Sequence, residues 1–288
     1  MLQRKLFVFG TGVLVLALAF SVIALPATAQ PVNEKAIVGG SYAPLKKPTP
    51  PPPPPPPPSP GDGIVKRYAV VVGISDYKAI SDLSYCDEDA NDWYSYLNAH
   101  GYTVKVYGDH TSTYLRFDGV AKESNVKAAI QSMVAAADGD DIIAFVSSGH
   151  GTTISGMQVL CMWDMNAGEN GEDGVITDIE LKNLFASAVA KVFIFLDHCN
   201  SGGMNEIMSN SNAANVYMTT TCGPRGYGYD VPEYQNGKWT YWFLEKGLIG
   251  QGFTTMESCF SWAYTQYNAR GQDAPMQFDG NTAVNFTL

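Results

Sequence analysis

The chain has 288 residues, a net charge of −10, 45% hydrophobic residues and only 16% charged residues, where about 25% is typical of globular proteins. The acidic balance excludes a nucleic-acid-binding protein, because binding phosphates requires clustered lysine and arginine and the sequence has no basic stripe. Beyond an apolar start and a proline run, about 225 residues remain, which is enough for one large domain or two small ones.

Residues 1–29 have the pattern of an export signal. Arg4 and Lys5 precede an apolar stretch over residues 6–25, and Ala27-Thr28-Ala29 matches a cleavage site. A retained anchor is the alternative, because twenty apolar residues could span a bilayer. The protein is therefore predicted to be secreted or otherwise extracytoplasmic, or tethered to a membrane or cell wall through its N-terminus.

Residues 30–63 form a predicted disordered, proline-rich spacer. The unbroken run Pro50–Pro58 favours a stiff polyproline II rod without internal hydrogen bonds. A stalk that carries a globular head fits this composition, and a docking site for a proline-binding domain is the alternative.

The head, residues 64–288, alternates between predicted strands and helices. The Thr177/Glu180 pair is a capping box at the start of one helix. Apolar runs predict strands at Tyr68–Ile74, Tyr102–Tyr107, Asp141–Ser147, Lys191–Asp197 and Asn215–Thr220. Helical spacing predicts helices at Asp89–His100, Ser124–Ala137, Thr177–Ala188, Thr240–Leu248 and Thr255–Asn268. This alternation indicates an α/β fold with a mainly parallel sheet.

Two predicted strands end in chemically notable sequences. Ser148-Gly149-His150-Gly151 follows one, and Asp197-His198-Cys199-Asn200-Ser201-Gly202 follows the other. Active sites of open α/β sheets collect at the carboxyl ends of strands. A lone cysteine is usually a small buried hydrophobe, and a lone histidine is usually structural. Together at strand ends, His150 and Cys199 predict a nucleophile and its base.

These motifs resemble the S-G-H-G and D-x-C-x-S-G motifs of metacaspases and related caspase-like cysteine peptidases. The 49 residues from His150 to Cys199 agree with the spacing of about 50 in caspases. Weaker similarities occur at Tyr68–Tyr77, Leu83–Ala90 and Gly237–Leu248, so the resemblance spans roughly Arg67 to Asp279. The chain departs from the family pattern at Tyr85, His198 and Asn200.

The resemblance implies a three-layer α/β/α sandwich and an acyl-transfer mechanism. Cys199 attacks the scissile carbonyl, and His150 protonates the leaving amine and then activates water. The backbone N–H groups of Gly151 and Cys199 are the implied oxyanion donors. His198 is a competing base, although adjacent residues on one loop usually point apart.

The same resemblance assigns substrate specificity to two carboxylates. Asp89 and Asp197 match the positions that line a pocket for a basic P1 side chain, which implies cleavage after arginine or lysine. The alternative is that Asp89 caps the following helix and Asp197 fixes a loop.

Calcium is the implied activator, because many metacaspases need it. The loop Asp164–Asp173 is rich in oxygen ligands, and Asp164, Asp173 and Glu206 are the candidate ligands. The calcium-free alternative is that this loop is a solvated turn. No cofactor is expected for the chemistry itself.

The four other cysteines, Cys86, Cys161, Cys222 and Cys259, could form two disulfides in three pairings after export. The absence of a C-x-x-C motif argues against a zinc site. The expected partners are polypeptide substrates, and the resemblance favours a monomer. A non-catalytic surface or interaction protein on a proline stalk is the alternative function, although the intact His150–Cys199 pair argues against it.

Activation is predicted to need no cut after the nucleophile. The segment from Cys199 to Cys222 contains no basic residue, and the first one after it is Arg225. The head is therefore expected to be active as a single chain, with self-processing confined to the spacer. Lys46 or Lys35 is the expected target, because Lys47 precedes a proline.

Overall fold

The computed structural model describes residues 33–35 and 61–288. The predicted leader over residues 1–29, the proline run and Lys46 lie outside these described residues. Within them, no helix is both long enough and apolar enough to cross a membrane.

A seven-stranded sheet forms the centre of the head. Its strand order is β13-β10-β9-β5-β2-β3-β4, and every neighbouring pair is parallel except β10 with β13. Two three-stranded antiparallel sheets, β6-β7-β8 and β1-β11-β12, complete the described strands. The thirteen strands are β1 (Asn33–Glu34), β2 (Arg67–Gly73), β3 (Thr103–Gly108), β4 (Gly119–Val120), β5 (Ile142–Ser148), β6 (Gly151–Ile154), β7 (Met157–Cys161), β8 (Val175–Thr177), β9 (Lys191–Asp197), β10 (Val216–Thr220), β11 (Tyr229–Val231), β12 (Asn236–Gly237) and β13 (Met276–Asp279).

Helices cover both faces of the central sheet. They are α1 (Cys86–Ala99), α2 (Glu123–Ala136), α3 (Asp178–Leu184), α4 (Lys238–Thr240) with its π-helical continuation Tyr241–Gln251, and α5 (Met256–Tyr267). Short 3₁₀ segments occur at Ser201–Ser209, Ala213–Asn215 and Gly271–Asp273. The five predicted central strands and five predicted helices are thus all present, and the Thr177/Glu180 capping box is formed.

Side-chain alternation along the strands explains the three layers. Along β9, Ile194 and Leu196 pack with α2 and α3 in one hydrophobic cluster, whereas Phe193 and Phe195 pack with α1, α5 and the π-helix in the other. Successive residues of a strand face opposite sides of a sheet, so an all-apolar strand needs cover on both faces. The predicted fold class, a three-layer α/β/α sandwich with a mainly parallel sheet, is confirmed.

The structure differs from the predicted elements in one helix and in the short strands. The helix predicted at Thr240–Leu248 winds as a π-helix over Tyr241–Gln251; over so few turns, apolar spacing does not distinguish the two windings. The strands of the two small sheets, and β4 and β13 of the central sheet, were not predicted. They are two to five residues long, which is too short for a clear period-2 pattern.

Candidate active site

His150 and Cys199 follow neighbouring strands of the central sheet. β5 and β9 are parallel, and Ser148 lies opposite Asp197 in their register. The two loops that leave these strands therefore begin side by side at the carboxyl edge of the sheet. Both side chains are buried within the loops, with 1% of each residue exposed.

Glycines allow the two loops to touch. A β-carbon at Gly151 would lie 2.2 Å from the carbonyl oxygen of Cys199, and one at Gly149 would lie 2.5 Å from the Tyr77 hydroxyl. Any larger residue at either position would push the histidine loop away from its neighbours. The close approach of the neighbouring atoms therefore requires glycine at both glycine positions of the S-G-H-G motif.

The Cys199 thiol lies against the backbone of Gly228. The Gly228 N–H donates to Sγ at 3.1 Å, and the Gly228 carbonyl lies 3.7 Å from Sγ. This N–H donor would stabilise the thiolate, the nucleophilic form of cysteine, once the thiol proton has been removed.

Two carbonyl oxygens flank the imidazole of His150. Nδ1 lies 2.8 Å from the Lys35 carbonyl, and Nε2 lies 2.8 Å from the Ser81 carbonyl. The His150 backbone N–H donates to the Tyr77 hydroxyl at 2.8 Å. Burial lowers the pKa of His150, and the two carbonyl contacts oppose that shift. The net shift is downward, so the buried ring favours its neutral form, which can accept a proton.

The competing histidine, His198, is fully buried, and both of its ring nitrogens have a hydrogen-bond partner. Nδ1 lies 2.9 Å from the His150 carbonyl, and Nε2 lies 2.9 Å from the Ser147 hydroxyl. Burial lowers the pKa of His198 to about 3, so the ring is neutral. These contacts favour a structural role in which His198 ties the cysteine loop to the histidine loop.

An acidic pocket beside the thiol encloses the ammonium group of Lys35. Nζ of Lys35 lies 3.6 Å from Asp89 Oδ2, 3.4 Å from Asp197 Oδ1 and 3.4 Å from Asp230 Oδ1. It also donates to the Ser148 hydroxyl at 2.9 Å and to the Asp197 carbonyl at 3.1 Å. All four charged side chains are fully buried, so one cation faces three carboxylates out of contact with bulk solvent.

Backbone donors hold the two predicted pocket residues in place. Asp89 Oδ1 accepts from the Gly237 N–H at 2.8 Å, while Asp197 Oδ2 accepts from the Thr240 N–H at 3.1 Å and the Thr240 hydroxyl at 3.3 Å. Asp89 lies within the first turn of α1, and the N-cap of that helix is Tyr85. Both carboxylates therefore line the pocket. Asp89 does not cap helix α1.

Two residues of the pocket were missed by the sequence analysis. Asp230 comes from the short strand β11, where its Oδ2 accepts from the Ser84 and Tyr85 N–H groups at 2.8 and 3.2 Å. Gly237 forms one wall, since a β-carbon there would lie 2.7 Å from Lys35 Nζ. The one sequence signal for Gly237 was its place at the start of the Gly237–Leu248 segment, and Asp230 had none.

The electrostatics of the pocket favour a bound cation. Burial alone would lower the pKa of Lys35, but Asp197, Asp230 and Asp89 raise it well above its usual value. Burial raises the pKa of Asp89 to about 7, and Lys35 opposes that rise. The Lys35 ammonium is therefore stabilised by the carboxylates around it, and it in turn favours the charged form of Asp89.

The backbone around Lys35 is that of an extended strand added to β11. β1 pairs antiparallel with β11, with Glu34 opposite Tyr229. The Lys35 N–H donates to the Gly228 carbonyl at 3.0 Å, and the Gly151 N–H donates to the Lys35 carbonyl at 3.4 Å. The Lys35 carbonyl thus lies between the Gly151 N–H and the His150 ring. Gly228 contacts both the Lys35 N–H and the Cys199 sulfur.

The sequence model of the caspase domain, a peptidase family, matches residues 66–269. This chain belongs to the caspase-domain family. The match supports a cysteine peptidase, and a peptidase domain implies polypeptides as the class of substrate. The match covers both strand-end motifs and the strand that carries Asp230.

The fold is also shared with solved structures. One is the crystal structure of a protein from Geobacter sulfurreducens, at a TM-score of 0.57 and 17% sequence identity, with 76% of this chain and 95% of that chain covered. This likeness concerns the fold alone. A comparison with curated protein sequences finds no match.

The predicted calcium ligands of this caspase domain do not come together. Asp164 Oδ1 accepts from the Glu123 N–H, Asp173 Oδ1 accepts from the Val175 N–H, and Glu206 is exposed on a 3₁₀ segment. Among the described residues, Asp164, Asp173 and Glu206 do not form a group able to hold a metal ion. These three residues therefore do not fit a shared calcium site, and calcium activation stays a prediction.

The acidic loop instead folds around a buried glutamate that the sequence analysis did not single out. Glu123 Oε2 accepts from the N–H groups of Asp173, Gly174 and Val175 at 3.0, 2.8 and 3.2 Å. Lys127 pairs with Glu123 Oε1 at 2.9 Å. The end of this loop is thus held by a glutamate of helix α2.

The cysteines of the caspase domain are thiols. In the described part of the chain, which includes all five, none forms a disulfide. Burial raises the pKa of Cys222 to about 11 and raises those of Cys86, Cys161 and Cys259 as well. Four of the five thiols are therefore held in the unreactive protonated form.

Proposed function

We propose that this chain is a cysteine endopeptidase that cleaves polypeptides after lysine or arginine, with Cys199 as the nucleophile. The observation that carries the proposal is the position of Lys35. Its ammonium occupies a pocket of three buried carboxylates, while its carbonyl oxygen lies beside His150 and Gly151.

The proposed mechanism is acyl transfer in two steps. Neutral His150 takes the proton of the Cys199 thiol, the resulting thiolate attacks the carbonyl carbon of the P1 residue, and the N–H groups of Gly151 and Cys199 stabilise the oxyanion. The imidazolium of His150 protonates the departing amine as the C–N bond breaks. Neutral His150 then takes a proton from water, which attacks the thioester and releases the acid.

The pocket supports a strong preference for a positive P1 side chain. When Asp89, Asp197 and Asp230 face an uncharged side chain, their charges have no partner in a buried pocket, and leaving a buried charge unpaired costs about 2–5 kcal/mol. An aspartate at P1 would add a fourth negative charge. Arginine and lysine are therefore the expected P1 residues.

A peptide panel tests the proposal directly. Blocked peptides that differ only in P1, with lysine, arginine, glutamine or aspartate before a fluorescent leaving group, are incubated with the Lys35→Gln chain, whose own lysine no longer competes for the pocket. We expect kcat/KM for lysine and arginine to exceed that for glutamine by about 100-fold or more, and no turnover of aspartate. Equal rates for lysine and glutamine would contradict the proposed specificity, and no turnover of any peptide would contradict the peptidase itself.

The pH dependence of kcat/KM should contain an ionisation from the pocket. The pKa of Asp89 is raised to about 7 by burial, and the charged groups that face it are Lys35, Asp197 and Asp230. A carboxyl with a raised pKa is neutral below that pH, so binding of a lysine peptide should strengthen as the pH rises through neutrality.

The matched comparison is the Asp89→Asn chain with the same lysine peptide. Its pH profile should lack the rise that belongs to Asp89, while the ionisations of the cysteine and histidine stay. Superimposable pH profiles for the two chains would contradict this assignment.

A further inference from the structure

Residues 33–35 lie in the cleft as a peptide substrate would. An extended segment adds to β11 through backbone pairing, the Lys35 side chain fills the acidic pocket, and the Lys35 carbonyl accepts from Gly151. Strand addition with a side-chain pocket is a common way of recognising peptides. Here the segment belongs to the same chain as the cleft.

We propose that the Lys35–Ala36 peptide bond is the first substrate of this enzyme, cut within the same molecule, and that the uncut segment blocks the cleft. This inference rests on the proposed function, since it assigns the same nucleophile and the same pocket to the chain's own spacer.

The chemistry of the cut needs only the groups already in the cleft and one water molecule. The Cys199 thiolate forms a thioester with the Lys35 carbonyl carbon, and the bond from that carbon to the Ala36 nitrogen breaks. The Ala36 amine leaves with the proton from His150. Water then hydrolyses the thioester, which frees a C-terminal carboxylate at Lys35 and restores the thiol.

Burial explains why the segment blocks the cleft before the cut. The Lys35 ammonium has no exposed surface and pairs with all three carboxylates of the pocket. Another lysine or arginine side chain cannot enter until Lys35 leaves. After the cut, Lys35 is no longer joined to Ala36, so the segment that ends at Lys35 can leave the cleft.

The position of the bond has a consequence for the rest of the chain. The proline run at Pro50–Pro58 lies after Lys35, so the cut leaves it attached to the head. Residues 1–35, with the predicted leader or anchor, are removed. A single event would thus open the cleft and separate the head from its N-terminus.

The experiment follows the intact full chain by mass spectrometry and with a fluorescent lysine peptide. We expect the wild-type chain to yield a fragment that begins at Ala36, at a first-order rate unchanged by 50-fold dilution, and peptide hydrolysis to show a lag of the same duration. The Cys199→Ala chain should stay intact. The Lys35→Arg chain should be cut, whereas the Lys35→Gln chain should not be cut there and should hydrolyse the peptide without a lag.

Lys46→Gln is the matched control, because it removes a lysine from the same spacer. The rate of cleavage after Lys35 and the lag in peptide hydrolysis should equal those of the wild-type chain. If Lys35→Gln hydrolyses the peptide but the wild-type bond after Lys35 stays intact, the self-cleavage is wrong and the proposed function stands. If neither chain hydrolyses the peptide and no cut occurs, both fail. A cut in Cys199→Ala, or a rate proportional to concentration, would contradict cleavage within one molecule.

Discussion

The Cys199→Ala substitution is expected to reduce peptide hydrolysis by about 10⁴-fold or more. Removing the nucleophile deletes the covalent step, and catalytic residues that act as a unit lose nearly all of their rate together. Cys199 is 1% exposed; alanine removes the acceptor of the Gly228 N–H but keeps neighbouring backbone contacts such as the bond from the Asn200 N–H to the Gly226 carbonyl. The measurement is kcat/KM on a lysine peptide. It compares the Lys35→Gln chain with a chain that carries both Lys35→Gln and Cys199→Ala.

Cys259→Ala is the control for loss of a buried thiol. Cys259 lies in α5, and its sulfur donates to the Phe243 carbonyl at 3.2 Å, on the face of the sheet covered by α1 and α5. Its replacement should lower the free energy of unfolding by roughly 1–2 kcal/mol and leave kcat/KM unchanged. Equal activity in Cys199→Ala and Cys259→Ala would rule out Cys199 as the nucleophile.

Asp230→Asn is expected to lower kcat/KM for lysine and arginine peptides by about 100-fold, because it removes one partner of a buried charge pair. The loss should appear mainly in KM, since Asp230 contacts the P1 side chain and not the reacting carbonyl. Asparagine keeps an oxygen that can accept from Ser84 or Tyr85, which limits damage to the fold.

Asp118→Asn provides the matched change of charge. Asp118 pairs with Arg116 at 2.7 Å on the surface, and exposed pairs contribute little to stability, about 0–1 kcal/mol. We expect kcat/KM of the Asp118→Asn chain for lysine and arginine peptides to equal that of the chain without this substitution. If Asp230→Asn keeps its preference for lysine over glutamine, the third carboxylate does not determine specificity.

The central sheet and the neighbouring positions of His150 and Cys199 could be predicted from the sequence because their signals are local. Apolar runs as long as those at β5 and β9 fit only strands covered on both faces, and parallel neighbours place their carboxyl ends at one edge. His150 and Cys199 each follow such a run directly, so their proximity follows from the topology. The register of Ser148 opposite Asp197 then brings the two loops together.

The third carboxylate and the occupant of the pocket could not be predicted, because their positions depend on long-range pairing. Asp230 is 31 residues beyond Cys199, in a three-residue strand after a loop rich in glycine and tyrosine. Lys35 belongs to a spacer whose composition gave no sign of packing. Its two-residue strand β1 is ordered by partners on β11 and by the charges around the lysine, and neither is visible in neighbouring sequence.

The pairing of β1 with β11 also limits which proteins could be cut. Once residues 33–35 leave, the free edge of β11 can be filled only by a partner whose backbone is straight for about three residues, or roughly 10 Å. In a helix, the backbone N–H and C=O groups are already hydrogen-bonded to one another, so they cannot pair with that edge. Cleavage would therefore fall in tails, long loops and unfolded stretches, and a tightly folded partner would be nicked at few places rather than degraded.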